Sequence, residues 1–123
     1  MNWFFAGDTP IYSQLVAQIK QGIVCGVFPP GERLPSVRDM ATEASVNPNT
    51  MQRALTELER DGLVYSQRTA GRFVTEDKAM IDAVKKGLAR EQIFSFLEAM
   101  YRLGYEKTDI LTLLEQEELT CQF

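Results

Sequence analysis

The sequence predicts a mainly α-helical fold that carries a small β-hairpin, and three features of the chain lead to this prediction. Two helix-start signals, Ser36 and Asn47, lie close together, and apolar residues at helical spacing follow each of them. Gly62 then marks the end of the helical pattern, and short β-branched and aromatic segments come after it. Helical spacing returns beyond residue 75. The predicted fold class is therefore an N-terminal winged helix-turn-helix followed by a short C-terminal helical hairpin.

The first predicted helix begins at Asp8-Thr9-Pro10. It has an apolar residue at every fourth position, and these residues are Ile11, Leu15, Ile19 and Ile23. The helix ends before Pro29-Pro30-Gly31, a turn that cannot continue it, and we expect it to pack beneath the two helices that follow. The aromatic run Trp3-Phe4-Phe5 precedes it. Two alternatives stay open for this run, an added strand or a cover over a neighbouring element.

Two short helices separated by a tight turn form the centre of the prediction. Ser36 caps the first, with Asp39 completing a short capping box, and Asn47 followed by Pro48 begins the second. The apolar stripe of the second helix recurs at i, i+3, i+4 and i+7, and consists of Met51, Ala54, Leu55 and Leu58. The opposite face is turned to solvent and holds Asn49, Arg53, Thr56 and Arg60. This arrangement is typical of a recognition helix that enters the major groove of DNA.

A β-hairpin is predicted after the second helix of the pair. Leu63-Val64-Tyr65 supplies one strand and Phe73-Val74-Thr75 the returning strand, and Gly71 near the tip can adopt a positive φ. Arg68 and Arg72 bracket the tip, where their side chains can reach a phosphate group or the minor groove of DNA.

Several ordered blocks of residues between about Thr9 and Val74 carry a recognisable pattern. The blocks are Pro29-Pro30-Gly31-Glu32-Arg33-Leu34-Pro35-Ser36-Val37-Arg38, Val46-Asn47-Pro48-Asn49-Thr50, Arg53-Ala54-Leu55, Leu58-Glu59, Gly62-Leu63-Val64 and Gly71-Arg72-Phe73-Val74. In these blocks the chain resembles the GntR family of bacterial transcriptional regulators, and ordered blocks are far more specific than a lone motif. The Asn47-Pro48-Asn49-Thr50 form and the short C-terminal segment further resemble the YtrA subfamily.

The resemblance implies a dimeric, repressor-like protein that binds double-stranded DNA. By position, it implies DNA contacts from Arg33, Ser36 and Arg38, from Asn49, Thr50, Gln52 and Arg53 on the recognition helix, and from Arg68, Thr69 and Gly71 at the wing tip, to which the hairpin pattern adds Arg72. Many relatives carry arginine where this chain has Gln52, so the base preference there does not transfer and adenine contact is an open alternative. In the YtrA subfamily the controlled genes often encode membrane transport systems.

The charge of the chain argues in part against a nucleic-acid partner. Its 13 basic and 17 acidic residues give a net charge of −4, whereas a basic surface is the usual footprint of nucleic-acid binding. Basic and acidic residues are equal in number within residues 1–75, so the acidic excess lies in residues 76–123. Taken singly, Arg38, Arg53 and Arg68 are also explained as surface charges and Ser36 as a helix cap. Their convergence on one recognition helix favours DNA contact.

Residues 76–123 are predicted to form the helical hairpin, after a DNA-binding domain of residues 1–75. Its last helix is capped by Thr108 and followed by the acidic run Glu115–Glu118. The hairpin has no large partner within its own chain, so we expect a homodimer that binds an inverted repeat. The predicted dimerisation residues are Leu88, Ile93, Phe96, Leu97, Met100, Tyr101, Ile110, Leu111 and Leu114. A small-molecule effector at the dimer interface is a further hypothesis.

Other features of the sequence narrow the class of protein. No stretch approaches the 18 or so apolar residues of a membrane helix and no signal peptide is evident, so we expect a cytoplasmic protein. The chain has no histidine, and Cys25 and Cys121 lack metal-ligand spacing, so we expect no catalytic residue, metal or cofactor. A redox-sensing pair of these cysteines is an open alternative. The alternative function is a winged helix that contacts protein without binding specific DNA.

Overall fold

The computed structural model describes residues 1–117, which form five helices and one small antiparallel sheet. In chain order the elements are α1 (Ile11–Val24), α2 (Val37–Ala44), α3 (Pro48–Arg60), β1 (Val64–Gln67), β2 (Gly71–Val74), α4 (Lys78–Arg102) and α5 (Lys107–Gln116). The predicted mainly α-helical winged helix-turn-helix is confirmed. The chain divides into two compact units, Met1–Lys86 and the residues from Gly87 onward. The assignment of DNA binding to residues 1–75 and dimerisation to residues 76–123 stays a prediction.

The helix-turn-helix forms where its local signals predicted it. The Ser36 hydroxyl oxygen accepts a hydrogen bond of 3.1 Å from the Asp39 amide, and the Asn47 side chain accepts one of 2.7 Å from the Asn49 amide. Between the two helices Ser45 adopts a left-handed φ of 58°, which ends α2. Within residues 1–117 the Asp39 side chain makes no bond back to Ser36, so only half of the predicted capping box is present.

The core of the first unit is built on the contact between α1 and α3. The two helices contribute their predicted apolar stripes, with Leu15, Ile19 and Ile23 from α1 and Met51, Ala54, Leu55 and Leu58 from α3 all buried. Ile11, by contrast, is exposed, so the stripe of α1 begins at Leu15. Ile81, the fourth residue of α4, joins the same core. Burial of each large aliphatic side chain contributes about 1.5–3 kcal/mol to folding, which fixes α3 on its support.

The aromatic run at the N-terminus covers its neighbours and forms no strand. The Gln18 side-chain amide donates to the Phe4 carbonyl oxygen at 2.6 Å and accepts from the Phe4 amide at 3.0 Å. Trp3 and Phe5 pack against the core, and the Trp3 indole N–H donates to Glu43 of α2 at 3.2 Å. Of the two alternatives, the cover is the one found.

The predicted hairpin helices are α4, which begins in the first unit, and α5, which belongs to the second unit. Gly104, with a φ of 95°, follows α4. The prediction of Thr108 as the cap of the last helix was wrong, because α5 begins at Lys107 and its N-cap is Glu106. The Asp109 carboxylate accepts a 2.9 Å hydrogen bond from the Glu106 amide, which stabilises that earlier start.

Two of the sequence predictions involve the C-terminal residues. Cys25 is exposed, and its predicted redox partner Cys121 lies outside the described residues. The last residue of the predicted acidic run, Glu118, also lies outside them. Over residues 1–117, no helix combines the length and apolar character needed to cross a membrane.

Candidate nucleic-acid interface

The outer face of α3 presents polar side chains that can hydrogen-bond to base edges. Asn49, Gln52 and Arg53 are exposed and Thr50 is half-buried, while the core holds the opposite face of the helix. The side-chain oxygen of Asn47 is occupied by capping, so this residue supports the helix start. Asn and Gln match adenine in the major groove and Arg matches guanine, so this face can read sequence.

The N-terminus of α2 supplies a second group of polar residues. Ser36 and Arg38 are exposed there, and Arg33 lies a few residues ahead of them. The first amides of a helix lack acceptors within the helix, and the helix dipole favours an anion at this end. Ser36 caps the Asp39 amide, and within residues 1–117 the amides of Val37 and Arg38 have no hydrogen-bond acceptor, so they are available to bind an anion.

The β-hairpin of β1 and β2 is the wing of the fold. The linker between α1 and α2, which leads to the polar residues at the start of α2, runs beside this wing. The wing pairs Val64 with Val74 and Gln67 with Gly71. On the other edge of β2, the Leu34 amide donates to the Arg72 carbonyl oxygen at 2.8 Å, and Arg33 pairs with Phe73 as an isolated bridge. The linker therefore acts as a short third strand, which sets the wing beside the start of α2.

Arg33 and Gly71 are brought into direct contact by this pairing. Gly71 has a φ of 103°, and a Cβ atom built on it lies 2.9 Å from the Arg33 Nε atom. Only glycine adopts this backbone conformation without strain. The absence of a side chain at Gly71 thus allows the Arg33 guanidinium group to lie close to the backbone of the wing.

We expect Gly71→Ala to destabilise the protein and to displace Arg33. The positive φ is strained for alanine, by about 1–3 kcal/mol, and the added methyl group meets the guanidinium group. The urea midpoint of unfolding should fall measurably. Gly7→Ala is the matched control, because nothing lies within 4 Å of a Cβ atom there. Equal midpoints for the two variants would contradict this account of Gly71.

Arg72 forms an ion pair with a carboxylate of α3, the predicted recognition helix. Its Nε atom donates to the Glu59 Oε1 atom at 2.5 Å, and the Ser66 hydroxyl donates to the same oxygen at 2.6 Å. The sequence pattern suggested that Arg72 reaches a phosphate group or the minor groove, and that contact stays a prediction; in the structure its side chain is half-buried and paired with Glu59. The geometry gives Arg72 the role of fixing the wing to α3, since a charge-assisted hydrogen bond is about twice as strong as a neutral one.

Glu59 is held in its charged form at this junction. Burial opposes ionisation, but the hydrogen bonds from Ser66 and Arg72 and the positive charge of Arg72 outweigh it, so the pKa of Glu59 lies below its ordinary value. A folded-state pKa below the unfolded value stabilises the protein above the unfolded pKa, near 4.3 for glutamate. That stabilisation is lost as the pH falls through the lower, folded-state pKa.

A pH series should therefore separate the wild-type protein from Glu59→Gln. At pH 7 the wild type should be more stable than the variant, because glutamine cannot form the ion pair with Arg72. Below about pH 4.3 the difference should shrink as Glu59 becomes neutral. Urea midpoints from pH 7 to pH 3 measure this difference. A gap that stays constant across the series would assign the effect of the mutation to something other than the charge of Glu59.

The ion pairs divide the basic residues of positions 1–75 into two classes. Lys20, Arg60 and Arg72 lie within 4.0 Å of a carboxylate oxygen. Four other basic side chains are exposed and, within the described part of the chain, make no ion pair, namely Arg33, Arg38, Arg53 and Arg68. All four belong to the predicted DNA-binding set. Within residues 1–75 the basic side chains without an ion pair are thus all predicted DNA contacts, although the chain as a whole is acidic. Lys78 and Lys85 of α4 are also exposed and make no ion pair among residues 1–117.

Two residues of this region were missed by the sequence analysis. Glu59 pairs with Arg72 across 13 positions, and Tyr12 of α1 lies under the guanidinium group of Arg53. Both partners come from separate elements, so no periodicity or short motif identifies them. In the sequence, Tyr12 is only an aromatic residue outside the apolar stripe of α1. Its half-buried position is seen in the structure alone.

Sequence comparison identifies relatives that match most of the chain. A sequence model of the gntR family of bacterial regulatory proteins matches residues 11–74. The HTH-type transcriptional regulator YhcF of Bacillus subtilis is 41% identical over 107 residues, which cover 87% of this chain and 88% of that protein. The HTH-type transcriptional repressor YtrA of the same organism is 36% identical over 100 residues, 80% of this chain and 77% of that one.

The solved structures that resemble this chain include a GntR family regulator. A GntR family transcriptional regulator from Listeria monocytogenes has a TM-score of 0.85 and 38% sequence identity, with 93% of this chain and all of that chain covered. The structure of AraR(DBD) in complex with operator ORX1 matches with a TM-score of 0.55 and 27% identity over 58% of this chain and 93% of that one. A domain of the same fold is therefore known bound to an operator.

Proposed function

The chain belongs to the GntR family of bacterial regulatory proteins, and we propose that it is a repressor that binds an inverted-repeat operator as a homodimer. Its relationship to YtrA and YhcF and its winged helix-turn-helix identify it as a DNA-binding transcription regulator. The relative YtrA is named as a repressor, which supports repression over activation.

The observation that carries this proposal is the group of four exposed arginines without ion pairs. Arg33 and Arg68 belong to the wing region, Arg38 to the start of α2 and Arg53 to the reading helix. An arginine paired with a carboxylate must break that pair to bind phosphate, whereas these four are free among the described residues. We assign phosphate contacts to Arg33, Arg38 and Arg68, and base-edge contacts to the residues of α3.

The proposed homodimer forms through the second unit. Several large apolar side chains there are strongly exposed, with exposed fractions of 55% for Ile93, 52% for Leu111 and 54% for Leu114. Ile110 is only 2% exposed, so it supports its own unit more than a partner. A cleft of about 200 Å³ on α4, lined by Arg90, Ile93, Phe94 and Leu97, is smaller than typical ligand pockets and suits a side chain of a second subunit.

An effector and a set of target genes complete the proposal. A groove of about 470 Å³ is lined by Gly104, Tyr105, Asp109, Thr112 and Leu113, a volume in the range of ligand pockets. The hypothesis remains an effector at the dimer interface, and this groove is a candidate for its binding because it lies on α5, the helix that carries Leu111 and Leu114. A ligand that binds and leaves DNA affinity unchanged would contradict the hypothesis. We propose operons that encode membrane transporters as the first targets to examine. We also propose that the protein is cytoplasmic, because a bacterial regulator binds promoters in the cytoplasm.

Selection from a random duplex library at moderate salt tests the proposal, with light scattering on the same sample. The expected result is an enriched inverted repeat bound by a dimer. If each copy uses the three arginines assigned to phosphates, two copies neutralise about six phosphates, and the slope of log affinity against log salt should approach about −5. Absence of enrichment together with absence of binding at low salt would favour a winged helix that contacts protein.

A further inference from the structure

Tyr12 and Arg53 form a stacked pair across the contact between α1 and α3. The Cζ atom of Arg53 lies 3.9 Å from the centroid of the Tyr12 ring, over its face. Tyr12 is half-buried against the core of the first unit, so packing holds its ring in place. The pair therefore joins a fixed aromatic platform to a charged side chain of the reading helix.

This stacking fixes Arg53 without using its hydrogen-bond donors. A cation–π contact engages the face of the guanidinium group, whereas its five N–H groups point outward in the plane. Within residues 1–117 no carboxylate makes an ion pair with Arg53, and the side chain is exposed. Its planar donors are therefore available to a phosphate group or to the O6 and N7 atoms of guanine.

We propose that Tyr12 is a positioning residue for DNA binding, whose ring holds Arg53 in place before DNA arrives. This inference rests on the proposed function. A free arginine side chain loses much rotational freedom when it is fixed on a ligand, and one already held in a stack loses less. In the proposed dimer this smaller entropy cost favours binding twice, once for the Arg53 side chain of each copy.

A double-mutant cycle on the full chain tests the proposal, with the duplex enriched in the selection above as the probe. Tyr12→Leu removes the platform but keeps an apolar side chain against the core, and should weaken binding by about tenfold for two copies. Tyr12→Phe keeps the ring and should bind as tightly as the wild type. In an Arg53→Ala background, Tyr12→Leu should have no further effect, because the side chain that it positions is gone.

The readouts separate positioning from other roles of Tyr12. A general loss of folding would make Tyr12→Leu equally harmful in both backgrounds, and that result would overturn the proposal. Weaker binding by Tyr12→Phe would overturn it as well, because the hydroxyl group would then be the contact. If the wild-type protein bound no duplex, the proposed function itself would fail. If it bound and the two mutations were merely additive, only this inference would fail.

Discussion

Leu114→Glu should convert the protein to a monomer and lower its affinity for the enriched inverted repeat by about 100-fold or more. Leu114 is 54% exposed in the single chain, so the substitution leaves the fold of that chain intact. In the proposed dimer it places a carboxylate in an apolar interface, where an unpaired charge is strongly disfavoured. Two linked DNA-binding domains bind DNA more tightly than one by a factor of about 10² to 10⁴, and a monomer loses this increase in affinity.

The matched control for this variant is Gln116→Glu. It adds the same charge to the same helix, α5, at an exposed polar position. Light scattering should report a dimer for this control and a monomer for Leu114→Glu, and fluorescence anisotropy with labelled duplex should show the difference in affinity. A dimeric Leu114→Glu protein with normal binding would place the subunit interface elsewhere.

The helix-turn-helix could be predicted from the sequence because its signals are local. A cap such as Ser36 or Asn47 acts on amides two or three residues away, so a few neighbouring letters are sufficient to predict the helix start. The same reasoning failed at Thr108, where Glu106 and Asp109 provide a competing cap two residues earlier. Two start signals that close together differ little in energy, and a pattern does not rank them.

The side-chain arrangement of the candidate site was less predictable, because its pairs join distant elements. Arg72 looked like a free basic residue of the wing, and its partner Glu59 looked like an ordinary charge on α3. Only the register of the hairpin and the way it folds back onto α3 bring them together. The same holds for the contact between Arg53 and Tyr12, which depends on how α1 crosses α3.

Arg38→Ala should weaken DNA binding by about 10- to 100-fold while the protein stays a dimer. Arg38 lies at the start of α2, is exposed, and makes no ion pair among residues 1–117. If it neutralises one phosphate in each half-site, its loss removes two charge contacts from the complex. The slope of log affinity against log salt should then become shallower by about 2.

Arg60→Ala is the control that separates a specific contact from a general loss of positive charge. It removes the same charge from α3, but Arg60 lies in the last turn of that helix and pairs with Glu57 at 3.0 Å. Its salt slope should therefore match that of the wild type. Because both variants change the net charge equally, long-range attraction alone would lower their affinities alike. A shallower slope for Arg38→Ala alone assigns the phosphate contact to the start of α2, whereas identical slopes for the two variants would remove Arg38 from the interface.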